Sequence, residues 1–178
     1  MAIAKELFWI APALLATVAG WKDLRTRRIP NWLTVPGLGI GIVLNSVIGG
    51  WAGARNSLLG ASLGLGILLP FVLMRSLGAG DWKLMGAVGA FVGPGPMIAV
   101  LVATFLVAGV MAVILVIWKK RVRQTARNLW RLLGAFLAFH LPEPELTLDN
   151  PESVKVPFGV AVAVVVILYS VKQGLGFS

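Results

Sequence analysis

The chain has 178 residues and a net charge of +9; 58% of its residues are hydrophobic and only 13% are charged. A soluble domain of this size is usually about half apolar and about a quarter charged, so this composition, with a mean hydropathy of +0.88, excludes an ordinary soluble domain. The absence of cysteine excludes a disulfide framework, a thiol nucleophile and a cysteine-based zinc site. The sequence therefore indicates an integral membrane protein.

Six apolar segments follow one another along the chain, and several reach the roughly 20 residues that a helix needs to cross a bilayer. The first has no clearly basic start and leads into a charged loop, so we interpret it as a retained span and not as a cleaved signal peptide. The predicted fold is an all-α bundle of six transmembrane helices in a single domain, residues 1–178. The predicted spans are approximately 7–21, 32–51, 57–74, 84–93, 97–118 and 156–171.

The fourth segment is shorter than the others. As a helix, residues 84–93 would rise only about 15 Å, which is half of the hydrocarbon thickness. If this segment were re-entrant, the basic stretch 119–131 would fall outside the cell. We therefore predict a short span that is buried among its neighbours.

The basic residues predict the orientation of the bundle. With the N-terminus outside and six crossings, the inside loops hold 13 of the 16 Lys and Arg residues, as the positive-inside rule requires. Both termini are then outside, and the loop 119–155 is cytoplasmic. Because the cations cluster beside the spans, we attribute the net charge to topology and lipid headgroups and not to nucleic acid binding.

The cytoplasmic loop contains an amphipathic stretch after its basic start. Apolar residues at helical spacing predict a helix that lies in the membrane interface, with packing against the bundle as the alternative. The single histidine, His140, follows this stretch, and we interpret it as an interfacial loop residue, with no metal site predicted. The apolar residues at helical spacing are Leu129, Trp130, Leu133, Phe136 and Leu137.

Two acidic residues stand apart from the other five. Four carboxylates belong to the polar connector 143–152 and one to the N-terminal edge, which leaves Asp23 after the first span and Asp81 before the fourth. The orientation places both at the cytoplasmic ends of their spans, within reach of each other across a bundle. Two carboxylates about 3 Å apart share one proton, so one acts as a base on water while the other hydrogen-bonds the carbonyl under attack. The pair therefore predicts amide hydrolysis.

Each aspartate also has a purely structural interpretation. Asp81 follows Gly80 and suits a helix N-cap, and Asp23 precedes Arg27 by four residues, as in a helical ion pair. Gly78 and Gly80 allow the backbone beside Asp81 to approach closely or to adopt positive φ. For the whole chain, the alternatives are a small transporter or channel that uses two membrane aspartates and a non-catalytic subunit of a secretion or pilus assembly.

Three stretches carry recognisable motifs: DLRTRRIPN at 23–31, GAGDWK at 78–83 and VPFGVAVA at 156–163. They resemble the first-aspartate motif, the Gly-x-Gly-Asp-x-Lys motif and the Pro-aromatic-Gly opening of the last span in type IV prepilin peptidases, which are intramembrane aspartyl proteases. The resemblance implies a catalytic pair, Asp23 and Asp81, that needs no cofactor. It also implies a prepilin or pseudopilin substrate, cut at the cytoplasmic face of a bacterial inner membrane. The matching residues that would shape the site or contact substrate are Gly78, Gly80, Lys83, Arg25, Pro30 and Asn31.

The chain departs from the family pattern at two positions. Trp82 stands where a small aliphatic residue is usual, and Phe158 stands where tyrosine is common. Large family members also carry a cytoplasmic region with paired Cys-x-x-Cys motifs and methylate the new N-terminus. This sequence contains no such motif and is similar to the short forms that serve Flp-type (Tad) pili, so the resemblance implies cleavage without methylation.

Overall fold

The computed structural model describes residues 2–120, 122–137 and 156–175, and over these ranges the chain is helical and contains no strand. This confirms the predicted all-α class. Residues 138–155, which include His140 and the acidic connector, lie outside the described ranges, so their interpretation stays a prediction. The helices are α1 Ala2–Thr26, α2 Asn31–Leu73, α3 Ala79–Val92, α4 Pro94–Trp118, α5 Val122–Leu137 and α6 Phe158–Gly174.

Helix α2 reverses direction at Gly50, so its two halves form an antiparallel hairpin. Gly50 has φ 57° and ψ −142°, a conformation open to glycine because it lacks a Cβ. Asn45 and Ser57, on either side of the break, both donate side-chain hydrogen bonds to the Ala90 carbonyl oxygen, at 2.8 and 2.5 Å. A straight helix would separate these two residues by about 18 Å, so the chain folds back. The break therefore falls at Gly50, and not across residues 52–56 as predicted, because one glycine suffices for the turn.

Helix α3 is enclosed by this hairpin and its neighbours. Residues 84–92 are all buried, and the backbones of Gly60 and Gly89 touch, since a Cβ on either glycine would overlap the carbonyl oxygen of the other. Small residues permit this close approach between membrane helices. The 14 residues of α3 give a length of about 21 Å, short of the ~30 Å hydrocarbon core. Helix α3 thus corresponds to the predicted short fourth segment.

Helices α1 and α6 pack antiparallel, so the end of α1 meets the start of α6. Gly20 lies against α6, where an added Cβ would come within 2.8 Å of the Ala163 Cβ. Towards the other end of the pair, Trp9 meets Tyr169 edge to face, with ring centroids 5.4 Å apart. This pairing carries Asp23, near the end of α1, to the first turn of α6.

Helix α4 extends well beyond the rest of the packed core. Phe105, in the middle of α4, meets Phe158 at the start of α6 with ring centroids 5.8 Å apart. The thirteen residues that follow Phe105 extend about 20 Å further along the helix axis. All fully buried residues of α4 precede this overhang, which we define as residues 106–118. The overhang is apolar up to its last residue, and its first turn, at Val107 and Ala108, still packs against the core. Those buried residues are Met97, Val100, Leu101 and Thr104.

Three helices end next to a basic residue in the left-handed conformation. Arg27, Arg75 and Lys120 follow the ends of α1, α2 and α4, and each has φ 53°. A cation near the C-terminus of a helix interacts favourably with the negative end of its dipole. Since the connections between helices alternate between the two sides of the bundle, these three cations lie on the same side, that of the α3 and α6 N-termini.

The outer surface suits a lipid environment. Two of the described helices, α2 and α4, are long and apolar enough to cross a membrane, and α6 is apolar over a shorter length. Large apolar side chains are exposed along α4, including Leu106 at 66% and Ile117 at 61%. Contiguous apolar exposure of this kind is rare on soluble monomers. Length and composition thus agree with membrane insertion, which the sequence predicted.

Candidate active site

Asp23 is buried where α1 ends and α6 begins, with 6% of its surface exposed. Its Oδ2 atom accepts a hydrogen bond of 2.8 Å from the backbone N–H of Gly159. Gly159 is the second residue of α6, and the first N–H groups of a helix have no partner within the helix. The positive end of the α6 dipole faces the same carboxylate. The carboxylate of α1 thus occupies the N-terminus of α6.

Asp81 lies in the first turn of α3, but it does not cap the helix. The N-cap is Gly78, with φ −69° and ψ 140°, so the interpretation of Asp81 as an N-cap is wrong. Its Oδ1 atom is buried and has no hydrogen-bond partner among the residues that the structure describes. A buried polar atom without a partner costs free energy of folding, about 1–3 kcal/mol and more for a charged group. Asp81 is therefore placed at some cost to stability, as functional groups often are.

Ile29, in the loop between α1 and α2, packs against both α3, which carries Asp81, and the start of α6, which binds Asp23. A Cβ on Gly80, next to Asp81, would lie 2.9 Å from the Ile29 carbonyl oxygen. A Cβ on Gly159 would lie 3.0 Å from the Ile29 Cδ1 and 2.9 Å from the Asp23 Cβ. Both glycines therefore make room for the same buried isoleucine. These approaches to Ile29 place the two predicted aspartates in the same region of the bundle, where the charge of Asp23 also acts on Asp81.

Asp23 has a second favourable neighbour in Arg27. The Arg27 guanidinium acts electrostatically on the Asp23 carboxylate, and the Arg27 N–H donates to the Asp23 carbonyl oxygen at 2.9 Å. The ion-pair interpretation of Asp23 thus has a physical basis. An ion pair with Arg27 is compatible with a catalytic role of Asp23, because the arginine would stabilise the ionised carboxylate that acts as a base.

Lys83 and Asn31, two of the predicted site residues, are joined to each other. The Lys83 Nζ donates a hydrogen bond of 3.0 Å to the Asn31 Oδ1, and this bond links the first turns of α3 and α2. Pro30 forms the N-cap of α2, with φ −76° and ψ 147°, and so fixes where that helix starts. Lys83, Asn31 and Pro30 therefore help to position α3, which carries Asp81, and α2, which lies next to it.

Arg25 is not brought to the aspartates by any described contact. Its guanidinium carbon lies 4.4 Å from the centroid of the Trp21 ring, and both side chains are exposed. Its predicted place at the site therefore lacks support from a described contact. Gly78, in contrast, adjoins the pair, since a Cβ there would lie 2.9 Å from the Asp81 Oδ2.

The two positions that depart from the family pattern lie beside the site. The Trp82 Nε1 donates a hydrogen bond of 2.7 Å to the Leu65 carbonyl oxygen on the second half of α2. Phe158 is buried against Phe105. Ile29 and Gly159 were not singled out from the sequence, although both belong to quoted motifs. The Ile-Pro-Asn and Pro-aromatic-Gly patterns contain these two residues, but only the packing shows what each residue contacts.

Comparison with known proteins identifies the family. A family model described as the type IV leader peptidase family matches residues 9–116, which include both aspartates. The chain therefore belongs to this family, as the motifs indicated. Two relatives named prepilin leader peptidase/N-methyltransferase, from Burkholderia pseudomallei strains 1026b and K96243, are each 34% identical over 129 residues. Each match covers 67% of this chain but only 40% of the relative. No solved structure matches the chain.

Proposed function

We propose that the protein is an intramembrane aspartyl endopeptidase that removes the leader peptide of prepilin-like proteins. The observation that carries the proposal is the clustering of Asp23 and Asp81. These residues lie 58 positions apart in sequence, on different helices, and are both located where α1 ends and α3 and α6 begin. One is buried with a backbone donor, and the other has a buried oxygen for which the described part of the chain provides no donor.

Such a pair is suited to hydrolysis of a peptide bond. With one proton between the two carboxyls, the ionised carboxylate removes a proton from water, and the water oxygen bonds to the scissile carbonyl carbon. The protonated carboxyl gives its proton to the carbonyl oxygen. When the tetrahedral intermediate collapses, the C–N bond breaks and the leaving amine takes up the proton that came from water, while a hydroxyl proton of the intermediate returns to the second carboxyl. The carboxyls then return to their starting state.

The substrate proposal follows from the family. The relatives are named for prepilin leaders, and a prepilin presents a basic leader followed by an apolar helix. An apolar surface along α2 and α4 suits a partner helix within the membrane. We further propose six crossings, made by α1, the two halves of α2, α3, α4 and α6, with the aspartates reached from the cytoplasmic side. The location of Arg27, Arg75 and Lys120 at helix ends on that side supports this orientation.

Helix α5 is proposed to lie on the cytoplasmic leaflet. It occupies the predicted amphipathic stretch, and among its described side chains Leu129 and Trp130 are exposed, at 56% and 79%. These two residues therefore do not pack against the bundle. The side chains of Leu133, Phe136 and Leu137 lie outside the described residues. Basic residues at a membrane surface interact with anionic lipids by about 1 kcal/mol each.

The proposal is tested with purified protein in nanodiscs and a panel of prepilins that keep their leader and first apolar helix. Mass spectrometry of the substrate N-terminus should show a single cut between leader and helix. The Asp23→Asn and Asp81→Asn proteins should give no product under the same conditions. A folded wild-type protein that leaves every prepilin uncut, but carries protons or cations across liposome membranes, would instead support a transporter.

A further inference from the structure

The two carboxylates have unequal surroundings, and one difference between them is a backbone hydrogen bond. The Asp23 Oδ2 accepts the N–H of Gly159 at 2.8 Å, whereas the buried Oδ1 of Asp81 has no donor among the described residues. A hydrogen bond to the charged form of a carboxyl group favours ionisation. The shared proton should therefore reside on Asp81.

We propose that the Gly159 N–H is a positioning group that keeps Asp23 the ionised member of the pair, so that Asp23 activates water and Asp81 protonates the substrate carbonyl. This inference rests on the proposed peptidase function and assigns the two chemical roles within it. The proton of water passes to Asp23, and the proton of Asp81 passes to the carbonyl oxygen. During collapse, Asp23 returns its proton to the leaving amine, and the hydroxyl proton of the intermediate returns to Asp81.

The packing explains why this position is a glycine. An added Cβ would come within 2.9 Å of the Asp23 Cβ and 3.0 Å of the Ile29 Cδ1. Real Cβ atoms essentially never approach other atoms more closely than 3.0 Å, so any side chain would push α6 away from α1. The hydrogen bond of 2.8 Å would then lengthen. Glycine therefore permits the short distance over which the N–H reaches the carboxylate.

Other charged and polar groups around Asp23 also affect which carboxyl of the pair is ionised. Arg27 follows α1 and stabilises the Asp23 anion electrostatically, which offsets part of the cost of burying this charge. Asp81 approaches from α3 and is the opposing carboxylate. Ile29, which lies close to Gly159 and Gly80, is apolar. The preference for an ionised Asp23 thus arises from α6 and Arg27 together.

Replacing one backbone amide by an ester tests the role of this N–H. Glycolic acid at position 159, introduced by nonsense suppression during cell-free synthesis into nanodiscs, removes the N–H and adds no side chain. The matched control is the ester at Trp32, made with indolelactic acid. Trp32 is also the second residue of a helix that follows a proline N-cap, in this case α2, and its side chain is exposed.

The readout is the pH dependence of prepilin cleavage. Loss of a hydrogen bond to a charged group should move the acid limb of kcat/KM upwards by about one to two pH units, with activity recovering as the pH rises. The Trp32 ester should keep the wild-type profile. An unchanged profile for the Gly159 ester would overturn the inference. A loss of activity that is equal at every pH would also overturn it, because that result indicates a purely structural role.

A second measurement does not depend on cleavage. In the Asp81→Asn protein, infrared spectroscopy of isotope-labelled aspartate follows protonation of the buried Asp23 carboxyl directly. The Gly159 ester should raise the midpoint of this titration, and the Trp32 ester should leave it unchanged. A midpoint that does not move refutes the inference. If the wild type cuts no prepilin and the midpoint moves, the proposed function fails while the role of Gly159 in holding Asp23 ionised stands.

Discussion

Lys83 and Asn31 hold the first turns of α3 and α2 together through a hydrogen bond of 3.0 Å between the Lys83 Nζ and the Asn31 Oδ1. Lys83 follows Asp81 by two residues, and Asn31 follows Ile29 by two. The bond therefore connects the two segments that meet where Gly80 packs against Ile29. Lys83 therefore links the start of α3 to the start of α2.

We expect this bond to act on catalysis through position. Lys83→Met and Asn31→Ala should each lower kcat/KM about two- to tenfold, the range expected for a hydrogen bond worth about 0.5–1.5 kcal/mol. The double variant should be little worse than the poorer single variant, because both changes remove the same interaction. Cleavage rates of the three variants and the wild type complete the cycle. Fully additive losses would show that the two side chains act separately, for instance with Lys83 on the substrate.

The aspartates should be indispensable for cleavage and unequal in their effect on stability. Asp23→Asn and Asp81→Asn should each lower the rate by about 10²–10⁴-fold or more, because neither amide can exchange the proton. Asp81→Asn should leave the melting temperature unchanged or raise it, since it replaces a carboxyl whose Oδ1 has no donor among the residues described. Asp23→Asn should lower it, since it weakens the bond to the Gly159 N–H.

Rates and detergent melting curves of the two purified variants test this asymmetry. The wild-type protein, prepared in the same detergent, is the reference for both. Near wild-type cleavage by Asp81→Asn would remove Asp81 from the mechanism. A larger loss of stability in Asp81→Asn than in Asp23→Asn would contradict the assigned environments.

Gly80 should tolerate no side chain. In Gly80→Ala, the new Cβ would lie 2.9 Å from the Ile29 carbonyl oxygen, a backbone atom that cannot rotate away. The first turn of α3 must then shift, and a displacement near 1 Å is able to cost about 100-fold in rate. Gly109→Ala is the matched control, because nothing lies within 4 Å of that position. The control should keep full activity and gain about 0.5–1 kcal/mol of stability from helix propensity. Equal activity in the two alanine variants would argue against tight packing at Gly80.

The proposed orientation is open to thiol labelling, because the natural chain contains no cysteine. Single cysteines at Arg28, Lys120 and Leu129 should react only with reagents that reach the cytoplasm. Cysteines at Arg55 and Lys172 should react with impermeant reagents from outside. Labelling of Lys120 from outside would reverse the face assigned to the end of α4 and to α5.

Local features of the fold were predictable, whereas relative helix positions were not. The apolar segments predicted most helices because their composition is independent of the neighbours, and the motifs identified both aspartates. The turn at Gly50 was missed because Arg55 and Asn56 resembled a polar loop, while the reversal is made by one glycine. The hydrogen bonds from Asn45 and Ser57 to the Ala90 carbonyl depend on tertiary proximity, which periodicity does not encode.

The depth of the site was also not predictable from the sequence. The carboxylates were expected at the cytoplasmic ends of their spans, and each does lie near the end of its own helix. Helices differ in stagger, however, and the contact between Phe105 and Phe158 sets the aspartates level with the middle of α4. Residue counts give the length of each helix but not its offset from the next one.

If the protein cleaves leader peptides as proposed, the overhang of α4 predicts a minimum distance between the cut and the leader cations that reach α5. Its roughly 20 Å correspond to about six residues of extended chain at ~3.3 Å each. In the proposed orientation, a leader whose cations extend to the level of Lys120 and the basic α5 helix would span this distance alongside α4. We expect leaders whose positive charges lie at least about six residues before the cut to be processed efficiently. A truncation series should show a steep fall below that length, and uniform cleavage down to two residues would contradict it. Shortening α4 by one turn within residues 106–118 should lower the limit by one or two residues.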